Sequence, residues 1–207
     1  MRLSLMASLI LLATPLAAQQ TAARPGGWQV RYDRSTASDS AMRTAAMGSG
    51  WHVTTSSSGS GIAWRTDQTT GGNFRVVLET SLAPSEGNHL EGFGLLLGGR
   101  DLAAANQTYL YFLIRKDGQF LIKHRAGTEV HNIMAWTPNP AIIKQEGSAN
   151  ADNTLAVEAS ADSVRFLVNG QRVHAMARAD AAVDGIAGLR INHGLSVHVA
   201  RLAVTPR

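Results

Sequence analysis

The chain has 207 residues, a formal net charge of +4, 16% charged residues and no cysteine. The lack of cysteine excludes disulfides, thiolate metal centres, a cysteine nucleophile and a lipid-modified N-terminal Cys. The charge excess is mild and its Lys and Arg residues are scattered, so the sequence carries no basic stripe of the kind that tracks nucleic acid.

Met1 and Arg2 precede an apolar run, LSLMASLILLATPLAA, that closes on the small residues Ala17 and Ala18. This is the pattern of a secretory signal peptide cleaved after Ala18. The run is too short for a membrane span, which needs roughly 20 residues. It implies a bacterial protein of the periplasm or the medium, not inserted in a membrane once the leader is removed. Removing Arg2 with the leader lowers the charge by one. Residues 19–27 are small and polar and end in Pro25-Gly26-Gly27, which reads as a flexible tether.

Strand signals start at Trp28 with WQVRYD and continue to Arg207, one domain over residues 28–207. Residues 34–50 are rich in Ser, Ala and Met without a clear period and read as a long loop. Strands are expected at GWHVTT, GIAWR and NFRVVLETSL, separated by Ser, Gly and Thr clusters. In the last of these, Phe74, Val76 and Leu78 alternate against Arg75, Val77 and Glu79. EGFGLLLGG places Phe93, Leu95 and Leu97 on one face, with glycines marking bulges or close backbone approach.

The segments TYLYFLIR and QFLIKHR flank Lys116-Asp117-Gly118. A three-residue loop with Gly118 in the left-handed position gives the cleaner register. Leu110, Phe112, Ile114, Phe120 and Ile122 then share the core face, with His124 at its edge. Tyr109, Tyr111, Leu113, Leu121, Lys123 and Arg125 share the other. Trp136 with Pro138 and Pro140 reads as a loop, and Ala151 to Asn153 as a turn into the next strand.

VRFLVNGQRVHA is a hairpin with a two-residue turn at Asn169-Gly170. That register collects Val164, Phe166, Val168, Val173 and Ala175 and leaves Arg165, Arg172 and His174 outside. In the closing strand, Leu195, Val197 and Val199 are out of phase with Leu202 and Val204, which calls for a bulge near Ala200-Arg201. A dozen short strands with no helical crossover predict an all-β, two-sheet antiparallel sandwich.

The succession NFRVVLE, GFGLLLGGRD, YLYFLIRKDGQFLIKHR, NTLAVEASADSVRFLVNGQRV and GIAGLRINH with a closing strand resembles the concanavalin A-like jelly-roll superfamily. It looks closest to bacterial domains related to the 3-keto-disaccharide hydrolase family and to laminin-G-like modules. The resemblance spans residues 28–207. It implies a jelly roll that binds glycans across one sheet. The acidic Glu-x-Asp-x-x-Glu strand of the superfamily's glycanases does not occur in this sequence.

Glu86 and Glu91 flank Asn88 and His89, with Glu79 on the preceding strand, an acid grouping with the residue types of a catalytic pair or a calcium site. Asp101, Asp117 and Asp180 fall where turns are expected. The seven histidines show no metal-ligand spacing, and the Gly-Ser-Gly triplets are turns rather than nucleophile elbows. Asn106-Gln107-Thr108 matches a glycosylation sequon. No catalytic residue, metal site or cofactor is expected.

The ligand-binding face is expected from Tyr109, Tyr111, Lys123 and Arg125, with Trp64, Arg65 and Arg190 near it. Aromatic rings stack on the apolar faces of sugars, while Arg and Lys donate to hydroxyls and carboxylates. Three readings stay open: an exported carbohydrate-binding module without catalysis, a hydrolase of a keto-disaccharide or glycoside, and a module that meets an envelope protein.

Overall fold

The computed structural model describes residues 25–84 and 90–207. The expected signal peptide, most of the expected tether, and Glu86, Asn88 and His89 lie outside the described residues. Fourteen strands run in chain order: β1 (Gln29–Tyr32), β2 (Met42–Met47), β3 (Gly50–Thr55), β4 (Gly61–Thr70), β5 (Phe74–Leu82), β6 (Gly92–Arg100), β7 (Thr108–Arg115), β8 (Gln119–Ala126), β9 (Glu129–Pro138), β10 (Ala151–Ala159), β11 (Ser163–Val168), β12 (Gln171–Ala177), β13 (Gly185–Ile191) and β14 (Ser196–Pro206). Two single 3₁₀ turns, Asp39–Ala41 and Arg178–Asp180, are the only helical pieces among the described residues.

The strands form two antiparallel seven-stranded sheets. Sheet A runs β1-β4-β13-β6-β7-β8-β9 and sheet B runs β12-β11-β10-β5-β14-β3-β2. Their inner faces bury Phe93, Leu95, Leu97, Leu110, Phe112 and Ile122 of sheet A against Val76, Leu78, Leu155, Val157 and Phe166 of sheet B. Phe112 meets Phe166 edge-on across the sandwich, with ring centroids 5.4 Å apart. Each such side chain contributes about 1.5–3 kcal/mol by leaving water, so a chain without disulfides is held by this layer. Trp28, just before β1, closes the opposite side against Trp51 of β3 at 4.7 Å.

Both expected hairpin turns form. Arg115 pairs with Gln119 and Ile114 with Phe120, leaving Lys116-Asp117-Gly118 as a three-residue loop. Gly118 has φ +83°, and its N–H donates to the Arg115 carbonyl at 3.1 Å. Val168 pairs with Gln171 across Asn169-Gly170. Asn169 also braces the neighbouring connection, its Nδ2 donating to the carbonyl of Ala141 at 2.8 Å and to Asn153 Oδ1 at 2.9 Å. The register of β14 shifts between Val199 and Arg201, so Leu202 and Val204 return to the core side.

Four local expectations are corrected. Residues 34–50 hold an edge strand, β2, whose Met42 and Thr44 are buried against β3; its Ala- and Thr-rich composition hides the alternation. Trp136 and Pro138 belong to β9, an edge strand that tolerates proline because its outer side pairs with nothing in the sheet. Ala151 to Asn153 open β10 and pair with Leu82 to Thr80 of β5. In β12 a bulge at Val173 sets His174 opposite Phe166, with ring centroids 5.9 Å apart, so His174 and Met176 face inward and Ala175 outward.

Candidate functional site

The outward side of sheet A carries a second apolar layer. Ile62 and Trp64 of β4, Leu96 of β6, Tyr109, Tyr111 and Leu113 of β7 and Leu121 of β8 are buried there. A strand's side chains alternate, so a strand buried on both faces needs cover on its outer side as well. Part of that cover is the β6–β7 loop, which sends Leu102 into the layer. Arg31 of β1 ties this loop down by donating from Nη1 to the carbonyl of Ala104. Trp136 arrives from β9 because the β8–β9 register slips between Phe120 and Ile122, which turns its indole onto the side of Leu121. Gly92 makes room for it: a Cβ there would lie 2.7 Å from Trp136 Cη2. Arg115 stacks on the indole at 4.5 Å, and its Nε donates to Asp117 Oδ1 at 2.8 Å.

An ion pair sits at the centre of this face. Arg190 of β13 is 8% exposed and donates from Nη1 to Asp33 Oδ1 at 2.7 Å and from Nη2 to Oδ2 at 2.5 Å. The same guanidinium lies 5.8 Å from the centroid of the Tyr111 ring. Burial alone would raise the Asp33 carboxyl, but the bonds and charge of Arg190 outweigh it. Arg125 and Arg31 add to them, and the group is held below the usual carboxylate range. Burial likewise disfavours the charge on Arg190, and Asp33 more than restores it, so the guanidinium stays protonated. Arg190 Nε is buried without a partner. Burial pushes the Tyr111 hydroxyl above the usual phenol value, so it is a neutral donor at physiological pH.

Six of the seven residues expected on this face meet there. Tyr109 and Tyr111 are neighbours, with ring centroids 5.7 Å apart, and face Arg125 and Lys123 across the β7–β8 pairing. Trp64 belongs to the same layer and Arg190 binds over it. Tyr109 is only 1% exposed and Trp64 3%, so both form the floor rather than the contact surface. Tyr111 at 9%, the half-buried Lys123, Arg125 and Trp136, and the Arg190–Asp33 pair form the accessible layer. Arg65 does not join them. The β4–β13 register shifts beside it, and its guanidinium pairs with Asp67, Nε to Oδ1 at 2.9 Å and Nη2 to Oδ2 at 2.5 Å.

Sequence reasoning missed Asp33, Arg31 and Trp136. Asp33 is 157 residues from Arg190 and follows the first strand, where nothing local marks it. Trp136 was hidden by two bulges in β9 that break its alternation.

Of the acid grouping, the two described members, Glu79 and Glu91, do not form a pair. Glu79 points outward from sheet B and pairs with Arg201 at 3.6 Å. Glu91 precedes β6 of sheet A, accepts from Asn192 Nδ2 at 3.0 Å and lies 3.5 Å from His193. Among the described residues no three His, Asp or Glu side chains cluster as metal ligands. His52 and His198 stand opposite each other on β3 and β14, 6.5 Å apart, and His124 and His131 do so on β8 and β9 at 6.2 Å.

The chain matches no protein-family model and no curated protein. Solved structures do resemble it. A carbohydrate-binding module, CBM66, from Bacillus subtilis superposes with a TM-score of 0.58 at 13% identity, covering 86% of this chain and 94% of that one. The carbohydrate recognition domain of Emp46p in its potassium-bound form gives 0.58 at 12% identity, covering 86% and 88%. A Bacillus subtilis protein of unknown function with a galectin-like fold gives 0.61 at 11% identity, covering 87% and 90%. At these identities the likeness is one of fold.

Proposed function

We propose that this concanavalin A-like jelly roll is a carbohydrate-binding module that seats a saccharide on the outward face of sheet A. The observation that carries the reading is the layer built by Tyr111, Trp136, Lys123, Arg125 and the Arg190–Asp33 pair. A sugar needs an apolar ring to cover its C–H face and fixed donors and acceptors for its hydroxyls. Tyr111 and Trp136 supply the first, and Arg190 with Asp33 supplies donors and an acceptor locked in one geometry. A carbohydrate-binding module and a carbohydrate recognition domain of the same fold support the reading.

No bond-breaking chemistry is assigned to this face, since its one carboxylate is bound bidentately by Arg190 and the work asked of it is recognition. The first 18 residues support export, to the periplasm or the medium, and a mature chain that starts at Gln19. N-terminal sequencing of the protein recovered from a periplasmic extract checks that start.

The test of binding is the melting temperature of the protein against a saccharide panel. A ligand at 100 times its Kd stabilises by about 2.7 kcal/mol, which is readily seen. Selective stabilisation by one saccharide, lost in Trp136→Ala and Arg125→Ala, supports the reading. Unchanged affinity in both variants removes the saccharide from this face.

A further inference from the structure

The charges on the outward face of sheet A do not balance. Arg31, Lys123, Arg125 and Arg190 all stand on this outward face, and Asp33 is spent on Arg190, which binds both of its oxygens. Arg31 and Arg190 flank Ile62 from either side of β4, while Arg125 and Lys123 pair with Tyr109 and Tyr111, the two neighbouring rings beside the Arg190 guanidinium. None of Arg31, Lys123 and Arg125 pairs with a carboxylate among the described residues. The nearby Asp101 of the β6–β7 loop accepts from Asn106 Nδ2 at 2.9 Å.

The two unpaired guanidiniums are nevertheless held in place. Arg31 Nη1 donates to the carbonyl of Ala104, and Arg125 Nε donates to that of Gly127 at 3.0 Å. A guanidinium has five N–H donors in a rigid fork, so anchoring one to a carbonyl aims the others without neutralising them. Arg190 is held more firmly still, 8% exposed and bound by both oxygens of Asp33, so its own charge is answered while those of its neighbours are not. Solvated surface cations that merely keep a sheet soluble need neither the anchoring nor the burial.

We infer that the saccharide taken by this face is anionic, its acidic group seated between Arg31, Arg125 and Lys123 beside the Arg190–Asp33 pair. The inference rests on the saccharide-binding reading and names its ligand class. Carboxylates and sulfates share the chemistry that such a fork recognises.

Titration calorimetry with matched pairs tests it: oligogalacturonate and oligomannuronate, each against its methyl ester, and a sulfated galactan against its desulfated form. The charged member of at least one pair should bind about tenfold or more tighter, the worth of one charge-assisted hydrogen bond. Added salt should erode the difference, and the pair that responds tells uronate from sulfate. Lys123→Gln with Arg125→Gln should abolish the preference while the free protein still unfolds cooperatively with the circular dichroism spectrum of the wild type. Equal affinity within every pair, or binding of neutral saccharides alone, overturns the inference and leaves the saccharide reading standing. Binding to no member of the pairs and to no neutral saccharide overturns both.

Discussion

Arg190 and Asp33 form a bidentate ion pair across 157 residues of chain, joining β13 to the end of β1 on the outward side of sheet A. The pair lies on the buried aromatic layer of Trp64, Tyr109 and Tyr111, with the Arg190 guanidinium 5.8 Å from the Tyr111 ring centroid. Its partners differ in exposure: the Arg190 side chain is 10% exposed and that of Asp33 29%.

Removing the carboxylate strands a buried cation. Breaking a buried pair costs about 3–5 kcal/mol, and Asp33→Asn should fall at the low end because Asp33 retains some contact with water. Urea unfolding of Asp33→Asn and the wild type measures the difference. A loss well under 1 kcal/mol would mean that the guanidinium is solvated in place.

Acid should undo the same pair. The Asp33 pKa is lowered by folding, so its contribution is present above the unfolded carboxylate value and is lost as the pH falls through the folded one. Stability of the wild type should therefore drop more steeply below the usual Asp range than that of Asp33→Asn. Parallel curves for the two proteins would contradict this.

A second loss of stability is expected at milder acidity. Burial, reinforced by His198, lowers the pKa of His52; burial, reinforced by His131, lowers that of His124; burial alone lowers that of His174. Each favours the fold while neutral, so the contribution is present above the ordinary imidazole value and fades as the pH falls through the lowered one. Melting temperature should decline from neutral pH toward about pH 5, and a triple His→Gln variant should flatten that decline.

Gly98 is irreplaceable on backbone grounds. It has φ +62°, and a Cβ there would lie 2.1 Å from the carbonyl oxygen of Ala182. Gly98→Ala should destabilise by about 1–3 kcal/mol or more, read from chemical denaturation. A stability equal to that of the wild type would show that the connection before β13 can yield.

Trp136→Ala and Tyr111→Phe separate packing from recognition. Tyr111→Phe keeps the ring and should leave the fold within about 1 kcal/mol of the wild type. Trp136→Ala should cost less than the roughly 3–5 kcal/mol of a fully buried aromatic, because the indole is only half buried. Both should weaken saccharide binding in calorimetry.

The fold was legible where side chains alternate without interruption. β5, β7 and β8 and the turns at Gly118 and Asn169-Gly170 could be placed because one slipped residue would have buried Arg or Lys. The out-of-phase halves of β14 pointed to their own bulge. Where strands bulge without a second apolar run to expose the slip, as in β9 and β12, the pattern misled, and Trp136 and His174 were assigned to the wrong surroundings. Most of the site was legible: Tyr109, Tyr111, Lys123 and Arg125 follow from the register of β7 and β8, and Trp64 and Arg190, expected near them, join the same face. Asp33 and Arg31 enter by tertiary contact with Arg190 and with the β6–β7 loop, and no local pattern announces such contacts. Arg65 failed for a local reason, since the bulge in β4 gives it Asp67 as a partner.

The most direct test of a saccharide on sheet A is a backbone-amide NMR titration with the saccharide that most stabilises the protein. The account predicts shifts confined to Asp33, Tyr111, Lys123, Arg125, Trp136 and Arg190 and their strand neighbours. Shifts centred instead on the outward side of sheet B, around Glu79, Asp152 and His198, would contradict it.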